Sequence, residues 1–277
     1  MTQSIRDMSA CFSLKNKVAI VTGGGGILGR HFAAGLAQHG ATVVAADLSL
    51  DNAEATVAAI EESFQIKTYA MALDLTNEDS VKEVVAKTRE QFGKIDILHN
   101  NAASKSSSLV KFFDTVEEFD MEIWQEVMRV NVDGMFLMAR QTGKIMCGQA
   151  SGGSIIQTAS IYGIMAPDQR IYQGSEYMGI PINTPAVYSV SKAAVVGLTK
   201  YLSTYWAKNK VRVNTITPGG VSSGQNGVFQ DLYSNRVPLG RMAEAHEMVG
   251  ALVFLASDAA SYITGQNLVI DGGLSVW

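Results

Sequence analysis

Residues 18–47 hold the feature that most narrows the fold. An apolar run, Val18–Val21, stops in the glycines Gly23–Gly26, and Ile27, Leu28 and Gly29 lead into a helical pattern with Phe32, Leu36 and Ala37 on one face. His39-Gly40 ends that pattern, and a second apolar run, Ala41–Ala46, closes on Asp47. Strand, glycine loop, helix and strand in this order predict a βαβ unit. Without Cβ atoms the loop can turn tightly and approach a pyrophosphate, and the helix that follows points its free N–H groups at the anion. The loop alone would fit a plain turn equally well; the order of elements around it selects the phosphate-binding reading.

The same alternation continues along the chain. Amphipathic stretches at 50–64 and 80–92 precede strand patterns at 69–73 and 95–98, a long helix pattern at 121–146 precedes 154–158, and another at 186–208 precedes 211–216. Such alternation predicts an α/β fold: a doubly wound parallel sheet in three α/β/α layers. The strands are continuous apolar runs, as required when both faces are covered. There is no domain-scale linker and no repeat, so residues 14–277 are expected to form one domain behind a polar leader, 1–13. Two segments break the rhythm. Residues 161–187 carry Pro167, Pro181 and Pro185, and residues 221–240 are rich in Ser, Gly and Asn. Both follow strands, at the carboxyl edge where open α/β sheets bind ligands, and are expected to form substrate walls.

Composition excludes several classes. With 47% hydrophobic residues, 17% charged and a net charge of −4, the chain can bury a large core and has no basic footprint for nucleic acid or a membrane surface. No run is long enough for a membrane span, and the N-terminus lacks the apolar core of a secretory signal, so a cytoplasmic protein is expected. Cys11 and Cys147 show neither disulfide nor zinc spacing, the four histidines are scattered, and no metal is expected.

Asp47, at the end of the second strand, is placed to accept hydrogen bonds from the adenosine ribose of NAD. A 2′-phosphate about 4 Å away would be disfavoured by ~4 kcal/mol at an effective dielectric near 20. Leu48 follows and offers no cation to rescue that phosphate. Further on, Tyr188 and Lys192 stand one helical turn apart on one face. A phenol titrates near pH 10, and an ammonium about 5 Å away supplies ~3 kcal/mol toward its anion, so the pair can act as a general acid/base. Ser160, just after the strand at 154–158, could stabilise a substrate oxyanion. Asn131 interrupts a long helix, where it is a poor helix former, and would be tolerated at a local kink around a water. Taken singly, a surface Tyr, a solvated Lys, a turn Ser and a buried Asn would each explain these residues.

Together with Thr22-Gly23, Asp74-Leu75, Asn100-Asn101-Ala102-Ala103, Pro218-Gly219 and the tail from Ile263 to Gly273, these residues resemble the short, single-domain branch of the short-chain dehydrogenase/reductase family from about Leu14 to the C-terminus. The resemblance implies a Rossmann-like fold and an NAD-dependent hydride transfer between nicotinamide and an alcohol or carbonyl. It implies that Tyr188 exchanges the proton, Lys192 lowers its pKa and holds the nicotinamide ribose, Ser160 orients the substrate oxygen, and Asn131 carries a relay water. The cofactor would also meet Gly23, Gly26, Ile27, Leu28, Gly29, Asp47, Leu48, Asp74, Leu75, Asn100, Pro218, Gly219, Val221 and Ser223. Homotetramers or homodimers built on the Asn131 and Tyr188 helices are implied as well.

Some positions depart from the family pattern. Ile27 replaces a loop glycine, Ala103 a later one, and Ser223 stands where Thr is frequent. The stretch between Ser160 and Tyr188 is about twice the usual length and carries Arg170, which could grip a substrate carboxylate or phosphate. A weaker similarity, to dehydrogenases of surface-glycan and flagellin-sugar biosynthesis, favours a sugar or polyol substrate. A 3-oxoacyl-thioester reductase, an epimerase with transiently used NAD, and an NAD-binding sensor without turnover are the alternatives.

Overall fold

A computed structural model describes residues 7–277. In chain order the elements are β1 (Val18–Thr22), α1 (Ile27–Gln38), β2 (Thr42–Asp47), α2 (Leu50–Phe64), β3 (Tyr69–Ala72), α3 (Glu78–Phe92), β4 (Ile97–Asn100) and the short α4 (Leu109–Phe112). Then come α5 (Met121–Met128), α6 (Met135–Cys147), β5 (Gly153–Thr158), the hairpin strands β6 (Glu176–Tyr177) and β7 (Ile180–Pro181), and α7 (Ala186–Tyr205). The chain ends with β8 (Val211–Pro218), α8 (Gly227–Ser234), α9 (Val249–Ala256) and β9 (Asn267–Ile270).

Seven strands form a parallel sheet in the order β3-β2-β1-β4-β5-β8-β9. The expected single Rossmann-like sheet with helices on both faces is what forms. Alternate residues of each strand feed opposite layers. On β1, Ala19 and Val21 pack with Phe32, Leu36 and Leu252, while Ile20 packs on the other face with Val84, Met138 and Leu202. That two-sided burial is why the strand is an unbroken apolar run. The sheet winds outward from β1 through β2 to β3, then crosses back to β4, with Val21 opposite His99. The direction of winding reverses between β1 and β4, which leaves a crevice at their carboxyl ends.

Four differences from the sequence expectations have physical causes. The long helix is divided: Arg129–Gly134 between α5 and α6 is a π-helical turn containing Asn131. The segment 221–240 is only partly a loop, because Asn226 caps α8 by accepting from the Phe229 N–H. The segment 161–187 contains two 3-10 turns and the β6–β7 hairpin. A seventh strand, β9, is a short half-buried edge strand with little apolar pattern to mark it. Residues 1–6 of the expected leader lie outside the described residues. Leu14 is fully buried, and Cys11 already accepts a backbone bond from Ala259.

The turn after β1 depends on two glycines. Gly23 has φ +65°, and a Cβ on Gly29 would stand 1.9 Å from the Gly23 carbonyl oxygen. That obstacle is backbone, which cannot swing aside. Gly29→Ala is therefore expected to cost about 1–3 kcal/mol of stability and to open the loop. Chemical unfolding of the variant checks this, and an unchanged midpoint would contradict it.

Candidate active site

The glycine loop is fastened on every side. Gly24 donates to Ala46 at 3.0 Å, and the Thr56 hydroxyl of α2 donates to the Gly24 carbonyl at 3.1 Å. Asp47 accepts from the Gly25 N–H at 2.9 Å through one oxygen and from the Ser49 N–H at 3.1 Å through the other. Its carboxylate thus braces the loop and stands at the crevice. Across the crevice, the Thr22 hydroxyl accepts from the Asn101 and Ala102 N–H groups at 2.9 and 3.1 Å. A Cβ on Gly23 would meet Ala102 Cα at 2.9 Å, so the two rims touch. The residues fit a dinucleotide: a loop whose backbone only glycine can form at its closest approach, the opening of α1 beside it, and a carboxylate one strand away.

Beside this crevice, where Ile27 and Gly219 meet it, a cleft of about 340 Å3 opens. Its wall includes Ser160, Tyr188, Gly219, Ser223 and Ile27, so two of the four expected catalytic residues, Ser160 and Tyr188, line it together. Lys192 lies beneath, 2% exposed, with Nζ 5.9 Å from the Tyr188 ring centre and donating to the Thr158 carbonyl at 3.0 Å. Loss of water pushes the Tyr188 phenol above its ordinary value, and the Ser160 hydroxyl works against that shift. Burial pushes Lys192 down to about 8. Desolvation thus favours the neutral form of both groups. The Coulomb argument from sequence counted the ammonium's field and left out the cost of burying both partners.

Asn131 is fully buried in the π turn. Its Oδ1 accepts from the Ser104 N–H at 2.8 Å and its Nδ2 donates to Ser191 Oγ at 3.2 Å, while Ser191 Oγ donates to the Tyr188 carbonyl at 2.8 Å. Asn131 therefore links the loop after β4 to the turn of α7 that carries Tyr188. The expected kink is present as a π turn, a device common at functional sites.

The other expected cofactor residues fall as follows. Leu48 is 76% exposed beside Asp47, and Ile27, also exposed, opens α1 with its side chain in the cleft. Gly26 precedes it as the N-cap, and Leu28 packs on the core behind. Asp74 accepts from the Thr76 N–H at 2.8 Å, and Leu75 is buried against the π turn at Gly134. Asn100, expected to back the adenosine side, is fully buried, and its amide donates to the Met135 carbonyl and Gln157 Oε1 at 2.7 and 2.9 Å. Pro218 ends β8, and Gly219 donates to Ile270 at 2.9 Å. The Val221 carbonyl is taken by Gln225 Nε2 at 2.9 Å, and Ser223 Oγ accepts from the same amide at 3.0 Å.

Arg170 does not reach the cleft. It forms a two-pronged pair with Asp168 at 2.9 and 2.8 Å, its side chain is 82% exposed, and the substrate-gripping role considered for it is withdrawn. Arg236 joins Asp168 from the other segment at 3.3 Å. The two irregular segments in fact pack on one another: Tyr172 stacks on Phe229 at 5.3 Å, and Ile161, Ile171, Tyr233 and Met242 form a shared apolar cluster. Asn183 and Thr184 of the cleft wall lie in the 161–187 segment expected to form it, whereas sequence reasoning missed Lys105, Phe112 and Phe113. The available signal was position: Lys105 lies just past the β4 motif at the carboxyl edge.

Residues 25–275 match a family model described as enoyl-(acyl carrier protein) reductase. An NAD-dependent glycerol dehydrogenase from Listeria innocua is 33% identical over 96% of this chain and 96% of its own length. A D-threitol dehydrogenase from Mycolicibacterium smegmatis is 35% identical over 96% and 95%. The crystal structure of a short-chain type dehydrogenase/reductase from Mycobacterium marinum superposes with a TM-score of 0.85 at 30% identity, covering 98% of this chain and 100% of that one. The chain belongs to the short-chain dehydrogenase/reductase family. As a member of it, the protein is an oxidoreductase of CH–OH groups. Among the described residues of this dehydrogenase, no helix is long and apolar enough to cross a membrane, and no cluster of three His, Cys, Asp or Glu could hold a metal ion.

The Lys192 shift carries a pH signature. Below about pH 8 folded and unfolded chains both hold the proton, and the burial cost is fully present; between about 8 and 10.5 the unfolded chain binds more protons, so stability rises with pH. Lys192→Met removes the buried ammonium and is expected to stabilise the cofactor-free protein at pH 7 by up to about 3 kcal/mol, with the gain shrinking toward about pH 9.5. Urea unfolding at both pH values checks this. A variant less stable at pH 7 would show that the hydrogen bond to Thr158 outweighs the desolvation.

Proposed function

We propose that the protein is an NAD-dependent dehydrogenase of a polyol or sugar-derived secondary alcohol, working reversibly with the ketone, with Tyr188 as the general acid/base. The observation that carries this reading is that Tyr188 and Ser160 line one cleft, with Lys192 Nζ 5.9 Å from the Tyr188 ring centre. Bound in the crevice, the nicotinamide supplies or takes up the hydride. Tyr188 takes the hydroxyl proton of the alcohol in oxidation or gives a proton to the carbonyl oxygen in reduction. Ser160 hydrogen-bonds that same oxygen and steadies its charge. Lys192 lowers the cost of the phenolate and holds the nicotinamide ribose, and Asn131 positions the Tyr188 turn and carries the relay water.

NAD is favoured over NADP by Asp47 with Leu48 beside it, and by the NAD dependence in the name of the Listeria relative. Both named relatives act on polyols, and the cleft wall is rich in hydroxyls, from Tyr162, Tyr172 and Thr184 as well as the catalytic pair. The outward face of α7 exposes Tyr201 and Tyr205 stacked at 5.8 Å, and α6 exposes Phe136; these apolar surfaces support self-association into a dimer or tetramer through the Asn131 and Tyr188 helices.

Absorbance at 340 nm with alditols, aldonates and 3-oxoacyl thioesters, each with NAD and NADP, tests the reading. Tyr188→Phe should lower turnover by about 10²–10⁴-fold while leaving cofactor affinity close to the parent's; retained turnover would sink the mechanism. Asp47→Asn should shrink the preference for NAD at least about tenfold, since a unit charge near the 2′ position is removed. An unchanged ratio would refute the role of Asp47.

A further inference from the structure

We infer that the substrate carries a carboxylate and that Lys105 holds it. This deepens the reading above and rests on it. Among the described residues lining the cleft, Lys105 is the one formally charged side chain; every other wall residue is apolar, hydroxylic, amide or glycine. No carboxylate faces into the cleft to neutralise it, and Lys105 forms no ion pair among the described residues. Its ammonium instead stands 5.8 Å from the centre of the Tyr177 ring, on the β6–β7 hairpin. Lys105 thus reaches from one rim of the cleft toward the other, and its charge is left available to a ligand.

The lysine is also well founded at its base. On one side, the Ser104 N–H is held by Asn131 Oδ1; on the other, the Ser106 N–H donates to Ser104 Oγ at 2.9 Å. The backbone before Lys105 is therefore tied to Asn131, and the residue after it is tied back to Ser104 in a local turn. An anionic group held by Lys105 would be held in register with the reacting oxygen. The protein as a whole is acidic, with net charge −4, so a lone cation in a cleft without acids marks a local preference that the overall charge opposes.

A single ammonium, without an arginine fork, suits a monoanion better than a phosphate dianion. Arg170, the alternative cation, is neutralised by Asp168 away from the cleft. The cleft, about 340 Å3, is small, and its wall includes Tyr162, Tyr172 and Thr184, whose hydroxyls are linked to one another through Tyr172. Together these describe a short polyhydroxy monocarboxylate: an aldonate or its keto form, with the carboxylate at Lys105 and a secondary hydroxyl at Tyr188.

Paired aldonates and alditols of the same length and configuration, such as D-gluconate and D-sorbitol, provide the test. The wild-type protein should favour the aldonate in kcat/KM by at least about tenfold, and the aldonate KM should rise with salt. Lys105→Met should reduce that selectivity by about tenfold or more through KM, Lys105→Arg should keep most of it, and Lys105→Glu should favour the alditol. A wild-type preference for alditols, or selectivity unchanged in Lys105→Met, would overturn the inference and leave the dehydrogenase reading intact. Lys105→Met weakening NAD binding instead of aldonate binding would overturn it too. If neither substrate class turned over, yet D-gluconate raised the melting temperature of the wild-type protein and not of Lys105→Met, the carboxylate site would stand and the dehydrogenase reading would fall.

Discussion

The Asn131 amide makes three joins at once. It accepts from the loop after β4, donates to a serine of α7, and sits where a π turn widens the helix between α5 and α6. The group is fully buried, so an unmade bond there would cost about 1–3 kcal/mol. Through Ser104 and Thr22 this linkage runs back to the glycine loop; through Ser191 it runs forward to the Tyr188 backbone. The crevice beside the glycine loop and the cleft wall that carries Tyr188 therefore share one frame. A helix without the π turn would present its Asn at another angle, and the two halves of the site would be positioned independently.

The wall opposite that frame is built differently. The 161–187 segment has little regular structure of its own, and its apolar residues are covered by α8 and the chain that follows it. Tyr172 on Phe229, Asp168 with Arg236, and Asn226 donating to the Glu176 carbonyl at 3.2 Å tie the two segments into one flap. Extra length between Ser160 and Tyr188 thus became packed substrate surface. Neither segment could bury its apolar side chains alone, so the length of one and the sequence of the other are coupled.

The parts of the site legible in sequence were those fixed by local geometry. Tyr188 and Lys192 share a helix face because of the helical period, and Gly29 is required because a backbone carbonyl lies against it. Ile27 departs from the family glycine at no cost, because its side chain points into the cleft and away from the loop. Long-range pairing was not legible. Arg170 was considered a ligand group because nothing in a linear sequence shows Asp168 folding onto it through a 3-10 turn. The partners that take up the Asn100 amide come from the start of α6 and from β5, 35 and 57 residues away. Lys105 drew no attention because a lone lysine in a serine-rich loop is ordinary until the loop's tether and the cleft are visible together.

The electrostatics of the cleft follow from the same enclosure. Shielding from water raises the phenol and lowers the lysine, and both shifts favour neutral forms. A cleft that kept water would leave both groups near their ordinary values and would lose most of the field between them, since the effective dielectric rises with solvation. Enclosure therefore disfavours both isolated charges and strengthens any later charge interaction in the cleft. Positive charge entering the crevice would push Lys192 further toward its neutral form and draw the phenol toward its anion, the direction in which the hydroxyl of Ser160 already works.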